Sequence, residues 1–206
     1  MIQRRGMLIV VSAPSGAGKT SLCQEIRKRI PDLAYSVSHT TRSPRPGEVD
    51  GRDFFFVGEA VFREMAGRGE LAEWAVVHGN LYGTSARFLE QALGRGEDIL
   101  LDIDTQGARQ LRGRYPEGVY VFVVAPSMKE LEQRLLERKS DAPQEIALRL
   151  GRAREEIPAW REYDYLIVNQ DLDEAVYQLQ AIIVAERART TRLTLAIPDL
   201  DEEGEN

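Results

Sequence analysis

Leu8-Ile-Val-Val-Ser-Ala-Pro-Ser-Gly-Ala-Gly-Lys-Thr-Ser-Leu22 is the stretch from which the rest of the chain can be placed. It opens on an apolar run, Leu8 to Val11, three of whose four residues are β-branched. Such a run predicts a parallel strand buried on both faces. Small residues follow, then Lys19-Thr20, then Leu22, Ile26 and Ile30 at helical spacing. Strand, small-residue loop, Lys-Thr and helix together predict a phosphate-binding loop. Gly16 and Gly18 let backbone N–H groups turn inward around a phosphate chain. The helix N-terminus adds its partial positive charge. The expected triphosphate ligands are Ala13, Pro14, Ser15, Gly16, Ala17, Gly18, Lys19 and Thr20. Lys19 would reach the β and γ phosphates, and Thr20 would offer a hydroxyl to Mg²⁺. Ala13 stands where the general pattern has its first glycine. The plainer alternative is a glycine-rich turn in an α/β protein.

Outward from that loop, strands alternate with helices. Ile99 to Asp104 predicts a second buried strand ending in carboxylates. Asp102 there suits a Mg²⁺–nucleotide site opposite the loop. The alternative is a strand-end cap for a helix over 106–111. Val119 to Ala125 and Tyr165 to Asn169 predict two more core strands. The alternation implies a parallel sheet with helices on both faces. Asp171 is expected to cap a last helix reaching about Leu193, with Val176, Leu179, Ile182 and Ile183 facing inward.

Two segments interrupt this plan. Residues 37–90 have strand signals of their own: a strand-like start at Ser36, Phe54 to Val57, and two strands around the Gly79-Asn80 turn. A helix between them should bury Val61, Phe62 and Met65. Arg42 and Arg45, three apart in turn-rich sequence, suit bidentate phosphate capture or, alternatively, a solvated loop. Residues 127–161 are dense in charge, with an apolar stripe of Leu131, Leu135 and Leu136. Arg134 and Arg138 share a helix face, and Arg149, Arg152 and Arg154 follow on the next helix. Low apolar burial predicts a mobile helical hairpin. The alternative is a solvated hairpin with pairs such as Glu130–Arg134.

Composition narrows the class. The chain has 206 residues, 43% hydrophobic and 29% charged, with a formal net charge of −6. A negative chain lacks the basic field of a general nucleic-acid binder. Its one cysteine, Cys23, suits a reducing compartment and is expected in the core. No segment has the length and apolarity of a membrane span, so a cytoplasmic protein is expected. Trp74 and Trp160 are expected to be packing residues, His39 and His78 to be structural, and Asn169 to lie near the nucleotide. The acidic tail, 197–206, is expected to lie outside the fold.

The chain resembles the guanylate kinase family of bacterial type. The resemblance rests on Ser12-Ala-Pro-Ser-Gly-Ala-Gly-Lys19, Val37-Ser-His-Thr-Thr-Arg-Ser-Pro-Arg-Pro-Gly-Glu-Val49, Gly79-Asn-Leu-Tyr-Gly-Thr84, Leu101-Asp-Ile-Asp-Thr-Gln-Gly107 and Asp164-Tyr-Leu-Ile-Val-Asn169. It implies a P-loop NTPase fold: a three-layer α/β/α core with a parallel sheet, an inserted small α+β GMP-binding lobe and a helical lid. The implied core is 1–36, 91–126 and 162–196, the lobe 37–90 and the lid 127–161. It implies transfer of the γ-phosphoryl of ATP to GMP, and to dGMP, with Mg²⁺. By resemblance Ser38, Arg42, Arg45 and Tyr82 are GMP phosphate ligands, and Glu73, Thr84 and Asp104 read guanine. Asp102 is an acid near Mg²⁺. Lys19, Arg42 and the lid arginines Arg134, Arg138 and Arg149 stabilise the transferring phosphoryl. The family usually has tyrosine where this chain has Phe54. A homo-oligomer is compatible with the family. Two other classes share these features: a partner-binding domain of the same fold, and a phosphotransferase for another acceptor.

Overall fold

The computed structural model describes residues 2–77, 79–137 and 143–195, with the side chains of Ile2 and Gln3 not described. His78, Arg138, Lys139 and the tail 197–206 therefore lie outside the described residues.

In chain order the elements are β1 (Ile2–Arg4), β2 (Leu8–Ser12), α1 (Lys19–Arg29), β3 (Ala34–Tyr35), β4 (His39–Thr40), β5 (Phe55–Phe56) and α2 (Glu59–Gly67). Next come β6 (Leu71–Val77), β7 (Asn80–Ser85), α3 (Ala86–Gly94), β8 (Ile99–Asp102), α4 (Thr105–Arg114) and β9 (Val119–Val124). The chain continues through α5 (Met128–Glu137), α6 (Pro143–Glu156), a 3₁₀ turn (Ile157–Glu162), β10 (Tyr165–Val168) and α7 (Leu172–Arg187). A second 3₁₀ turn (Thr190–Arg192) leads to β11 (Leu193–Leu195).

The main sheet has five strands in the order β10-β9-β2-β8-β3, and every pairing in it is parallel. Its centre is β2, all five residues of which are buried. Period-two alternation divides them between two cores. Met7, Ile9 and Val11 pack with α1 and α7 through Leu22, Ile26, Val176 and Leu179. Leu8 and Val10 face α3 and α4 through Leu89, Ala108 and Leu111. These are the three layers anticipated from the strand–helix alternation.

A second sheet, in the order β5-β4-β7-β6, stands apart from the first. Gly79, with φ +79°, makes the turn between β6 and β7. The helix α3 crosses the expected boundary at residue 90 and buries Leu89 and Ala92 in the main core.

Several local expectations need correction. Val61 is 49% exposed, while Phe62 is fully buried and Met65 half-buried. Two turns of helix over a small sheet cover only a narrow stripe, and Val61 falls outside it. Leu136 is exposed for the same reason, beside buried Leu131 and Leu135. The hairpin is nevertheless anchored: Leu131 and Ala153 belong to the main core. Trp74 and Trp160 are partly exposed, and the Arg161 guanidinium stacks on Trp160 at 4.9 Å. The last helix ends at Arg187, not near 193. The following residues turn instead to pair β11 with β1, a two-stranded ribbon whose short strands carry no clear signal in sequence. The extended segment near Ser36 is two separate strands, β3 in the main sheet and β4 in the small one.

Candidate active site

The loop after β2 sits at the carboxyl edge of the parallel sheet, where β8 and β9 flank β2. A crevice opens there because connections leave the central strand in opposite directions. Gly16 and Gly18 both adopt φ +91°, a conformation that a side chain would strain. Gly18 is the N-cap of α1, so the first free N–H groups of the helix face the loop. A Cβ on Gly18 would lie 2.3 Å from Asn169 Nδ2. Asn169 is buried and donates from Nδ2 to the Ala17 carbonyl at 2.8 Å. It thus clamps the loop from the far end of β10, a positioning task that the sequence only hinted at.

Lys19 Nζ lies 2.7 Å from Asp102 Oδ1 and donates to the Ile103 carbonyl at 2.7 Å. Burial lowers the pKa of this ammonium, but the charge and hydrogen bond of Asp102 outweigh that, and the net shift is upward. Lys19 is charged at every working pH. Cys23, one helical turn on, is buried, and burial pushes its thiol pKa up. It is an inert wall residue.

A cavity of about 460 Å³ runs from Lys19 and Thr20 to the small sheet. That is within the usual range for small-molecule sites. Of the residues singled out in sequence, it brings together Lys19, Thr20, Ser38, Phe54, Glu73, Tyr82, Asp102 and Asp104. Its remaining wall includes Gln24, Arg27, Tyr35 and Asp53, which sequence patterns did not select. Arg27 stacks on the Tyr35 ring at 4.2 Å.

The deepest polar group in the small-lobe wall is Glu73, 4% exposed, on β6. The Thr84 hydroxyl, on the paired strand β7, donates to Glu73 Oε1 at 2.6 Å. Burial pushes the Glu73 pKa up to about 7, with the Thr84 hydrogen bond opposing and the Asp104 charge reinforcing. Asp104 caps α4, accepting from Gly107 N–H at 2.8 Å. The cap reading of this strand end holds for Asp104, which also lines the cavity. A Cβ at Gly107 would come 2.2 Å from Glu73 Oε2. Gly107 is required for this approach, and no spacing rule would find it. Gly107→Ala should raise KM for the acceptor about tenfold or more by displacing the carboxylate. KM for the triphosphate should stay unchanged. The helix itself gains roughly 1 kcal/mol of propensity, so folding survives. Steady-state kinetics with each substrate varied in turn checks the split.

Arg42 donates from Nε to the Tyr82 hydroxyl at 3.2 Å and from Nη2 to both Glu48 oxygens at 2.8 and 3.0 Å. The hydrogen bond from Arg42 holds the Glu48 carboxyl below its usual range. Glu48 thus takes Nη2 with both its oxygens, while Nη1 donates to the Ser43 carbonyl at 2.7 Å. Arg45 is exposed, and its backbone N–H also meets Glu48, at 2.7 Å. The Phe54 ring stands edge-on to Tyr82 at 6.0 Å. His39 stacks on Phe55 at 4.8 Å, a packing role as expected.

Among the described residues, the hairpin arginines are not in the cavity wall. Arg134 donates to Glu130 and Arg149 to Glu145, each at 3.0 Å within its own helix. The first of these is the ion pair foreseen from the sequence. Leu131 and Leu135 of α5 lie over Gly16, within 3.2 Å of where its Cβ would be. This places the root of the hairpin directly on the phosphate loop.

The comparisons with known proteins agree with this geometry. A family model described as guanylate kinase matches residues 5–186. A guanylate kinase from Geobacter sulfurreducens is 50% identical over 199 residues, covering 97% of this chain and 98% of the relative. One from Geobacter metallireducens is 53% identical over 192 residues, covering 93% and 95%. The crystal structure of guanylate kinase from Anaplasma phagocytophilum superposes with a TM-score of 0.79 at 33% identity, covering 94% of this chain and 92% of that one. With a glycine loop and Lys19 at one end of the cavity and buried Glu73 at the other, and with near full-length likeness to these relatives, the chain belongs to the guanylate kinase family.

Proposed function

We propose that this chain transfers the γ-phosphoryl group of ATP to GMP, and to dGMP, giving ADP and the guanosine diphosphate. The observation that carries this reading is Glu73, which lines one cavity with Lys19 and is held from behind by the buried Thr84 hydroxyl. Guanine presents N1–H and the N2 amino group side by side, and an ionised Glu73 accepts both. Thr84 can turn its hydroxyl from Glu73 to donate to O6, and Ser38 is a ligand of the acceptor phosphate. Adenine has the opposite polarity there and would leave Glu73 buried and unpaired, which costs several kcal/mol. The relatives named guanylate kinase support the same assignment.

On this reading, an anionic oxygen of the GMP phosphate attacks the γ-phosphorus as the bond to the ADP oxygen breaks. The nucleophile is already ionised, so no general base is needed. Arg42, Arg45 and Tyr82 hold the acceptor phosphate in line, and Arg42 exchanges Glu48 for it. Lys19 follows the β and γ oxygens, and catalysis is alignment plus charge stabilisation. Arg134 and Arg149 would reach the transferring group by movement of the hairpin about its buried root, closing out water. Arg138 is assigned the same role by family resemblance alone.

Thr20 and Asp102 are hard oxygen donors on the same cavity wall, and among the described residues no cluster of three His, Cys, Asp or Glu could cage a metal. That donor set fits Mg²⁺, which keeps waters and nucleotide oxygens rather than a full protein shell. Bound with the nucleotide, Mg²⁺ supplies charge neutralisation on the phosphates. No helix among the described residues is long and apolar enough to cross a membrane.

A coupled ADP-release assay with GMP, AMP, dTMP and no acceptor tests the proposal. GMP-dependent turnover is expected, and its absence would overturn the enzyme reading. Phe54→Tyr adds a hydroxyl beside Tyr82 at the phosphate end. One hydrogen bond to a charged group, about 1.5–3 kcal/mol, should lower KM for GMP by roughly ten- to a hundredfold. An unchanged or higher KM would remove Phe54 from the phosphate site.

A further inference from the structure

A second cavity, about 560 Å³, opens on the opposite edge of the main sheet, where β2 and β9 begin. We propose that it is a binding site for an oligophosphate anion, separate from the active site. Arg4, Arg5, Arg95 and Arg192 line it, with Glu117 as its one acidic wall residue. Four guanidinium groups converging on one cavity run against the net charge of −6 carried by the whole chain.

The partners of these arginines leave capacity for a ligand. Arg4 pairs with Asp98, whose carboxylate also accepts from Met7 N–H at 3.1 Å and from Arg187 at 2.7 Å. Asp98 thus divides one negative charge between two cations. Arg95 pairs with Glu97 at 2.7 Å on the exposed rim. Arg5 has no carboxylate partner among the described residues. Arg192 is more than nine-tenths buried. Its Nη2 donates to the Glu117 carbonyl at 2.7 Å and to Glu186 at 3.1 Å. Its Nε, however, has no acceptor, and neither does the buried hydroxyl of Tyr115 in the same wall. Unsatisfied buried donors are rare in native proteins and call for an explanation. One on Arg192 itself and one on Tyr115, beside three further arginines, point to an anion rich in acceptor oxygens.

Gly6, Gly94, Gly96 and Gly118 also line the cavity; a Cβ at Gly94 would meet nothing within 4 Å, so the wall is open there, whereas Gly6 and Gly118 pack against Glu97 backbone and the Tyr120 ring. The carbonyl end of α3 lies here too, at Gly94. Its partial charge of about −0.5 is outweighed by the guanidinium groups. A chain of two or three phosphates offers more charge and more acceptor oxygens than a single phosphate, and each phosphate can take a bidentate fork.

The probe is inorganic tripolyphosphate, titrated calorimetrically into the full chain. Saturating GMP and the β,γ-imido analogue of ATP are present throughout to fill the active site. Saturable binding is expected under these conditions. Arg5→Glu combined with Arg95→Glu changes two exposed side chains far from the phosphate loop. It should weaken that binding at least tenfold while leaving kcat with GMP and ATP unchanged. In the unmodified protein, amide resonances of Gly6, Gly96 and Gly118 should shift on titration, independently of how the variant folds. Binding that disappears when the active site is filled, or unmoved resonances at those three glycines, would overturn the proposal.

Discussion

Lys19→Met should reduce kcat for GMP phosphorylation by about 10²–10³-fold, the usual loss when one preorganised donor to a developing anion is removed. Methionine keeps the length of the side chain and its contact with the loop, so the change is largely one of charge. The lysine is held by two groups, Asp102 and the Ile103 carbonyl, each at 2.7 Å. These contacts aim it along the loop before nucleotide arrives, and they must be exchanged for phosphate oxygens during the reaction. Loss of the cation leaves Asp102 near the triphosphate with nothing to offset its charge, which adds electrostatic repulsion to the lost attraction. KM for ATP should therefore rise together with the fall in kcat. Rapid-quench measurement of the phosphoryl-transfer step, beside a thermal melt to show a retained fold, checks this. A kcat within threefold of the parent would remove Lys19 from the chemistry.

Glu73→Gln should produce opposite effects on stability and function. A carboxyl raised from 4.5 to about 7 penalises the folded state whenever it is ionised. The folded state binds the proton more tightly than the unfolded chain, so stability falls as pH rises from about 4.5 to 7. At ~1.4 kcal/mol per pKa unit the penalty at pH 8 is about 3 kcal/mol. Glutamine removes it while Oε1 still accepts from Thr84. The variant should thus be about 2–3 kcal/mol more stable at pH 8 and no more stable at pH 4, measured by urea unfolding at the two pH values. Its kcat/KM for GMP should fall by about 10³-fold, because an amide accepts only one of the two guanine donors and opposes the other. Discrimination against AMP should shrink, since an amide matches the adenine edge. In the parent enzyme the same pKa predicts that KM for GMP rises roughly tenfold per pH unit below about 7, as binding must expel a proton. A flat pH profile for KM would mean that Glu73 does not read the base.

Much of this site was legible in the chain before folding. The phosphate loop is local: its strand, its two αL glycines and its helix N-terminus are contiguous, so their chemistry is written in one stretch. The residues that line the cavity from β6, β7 and β8 also carry recognisable types at recognisable places. Asp104 illustrates why alternatives had to stay open. A strand-end aspartate is both what a cap requires and what a nucleotide site requires, and here it caps α4 while facing the cavity. The misjudged positions share a cause. Val61 and Leu136 follow apolar patterns correctly, but periodicity cannot say how wide a stripe the neighbouring element will cover.

The sequence by itself determined the alternation of strands and helices, the phosphate loop and the kinds of residue that surround the cavity. It could do so because hydrophobic period and loop chemistry act over a few residues. Only the tertiary structure decided which distant groups meet. Asn169 reaches Ala17 across 152 positions of sequence, Gly107 presses on Glu73, and Tyr82 meets Arg42 across 40. The near-neutral pKa of Glu73 belongs to the same class, because it arises from burial, and burial is a property of the whole packed chain rather than of any segment.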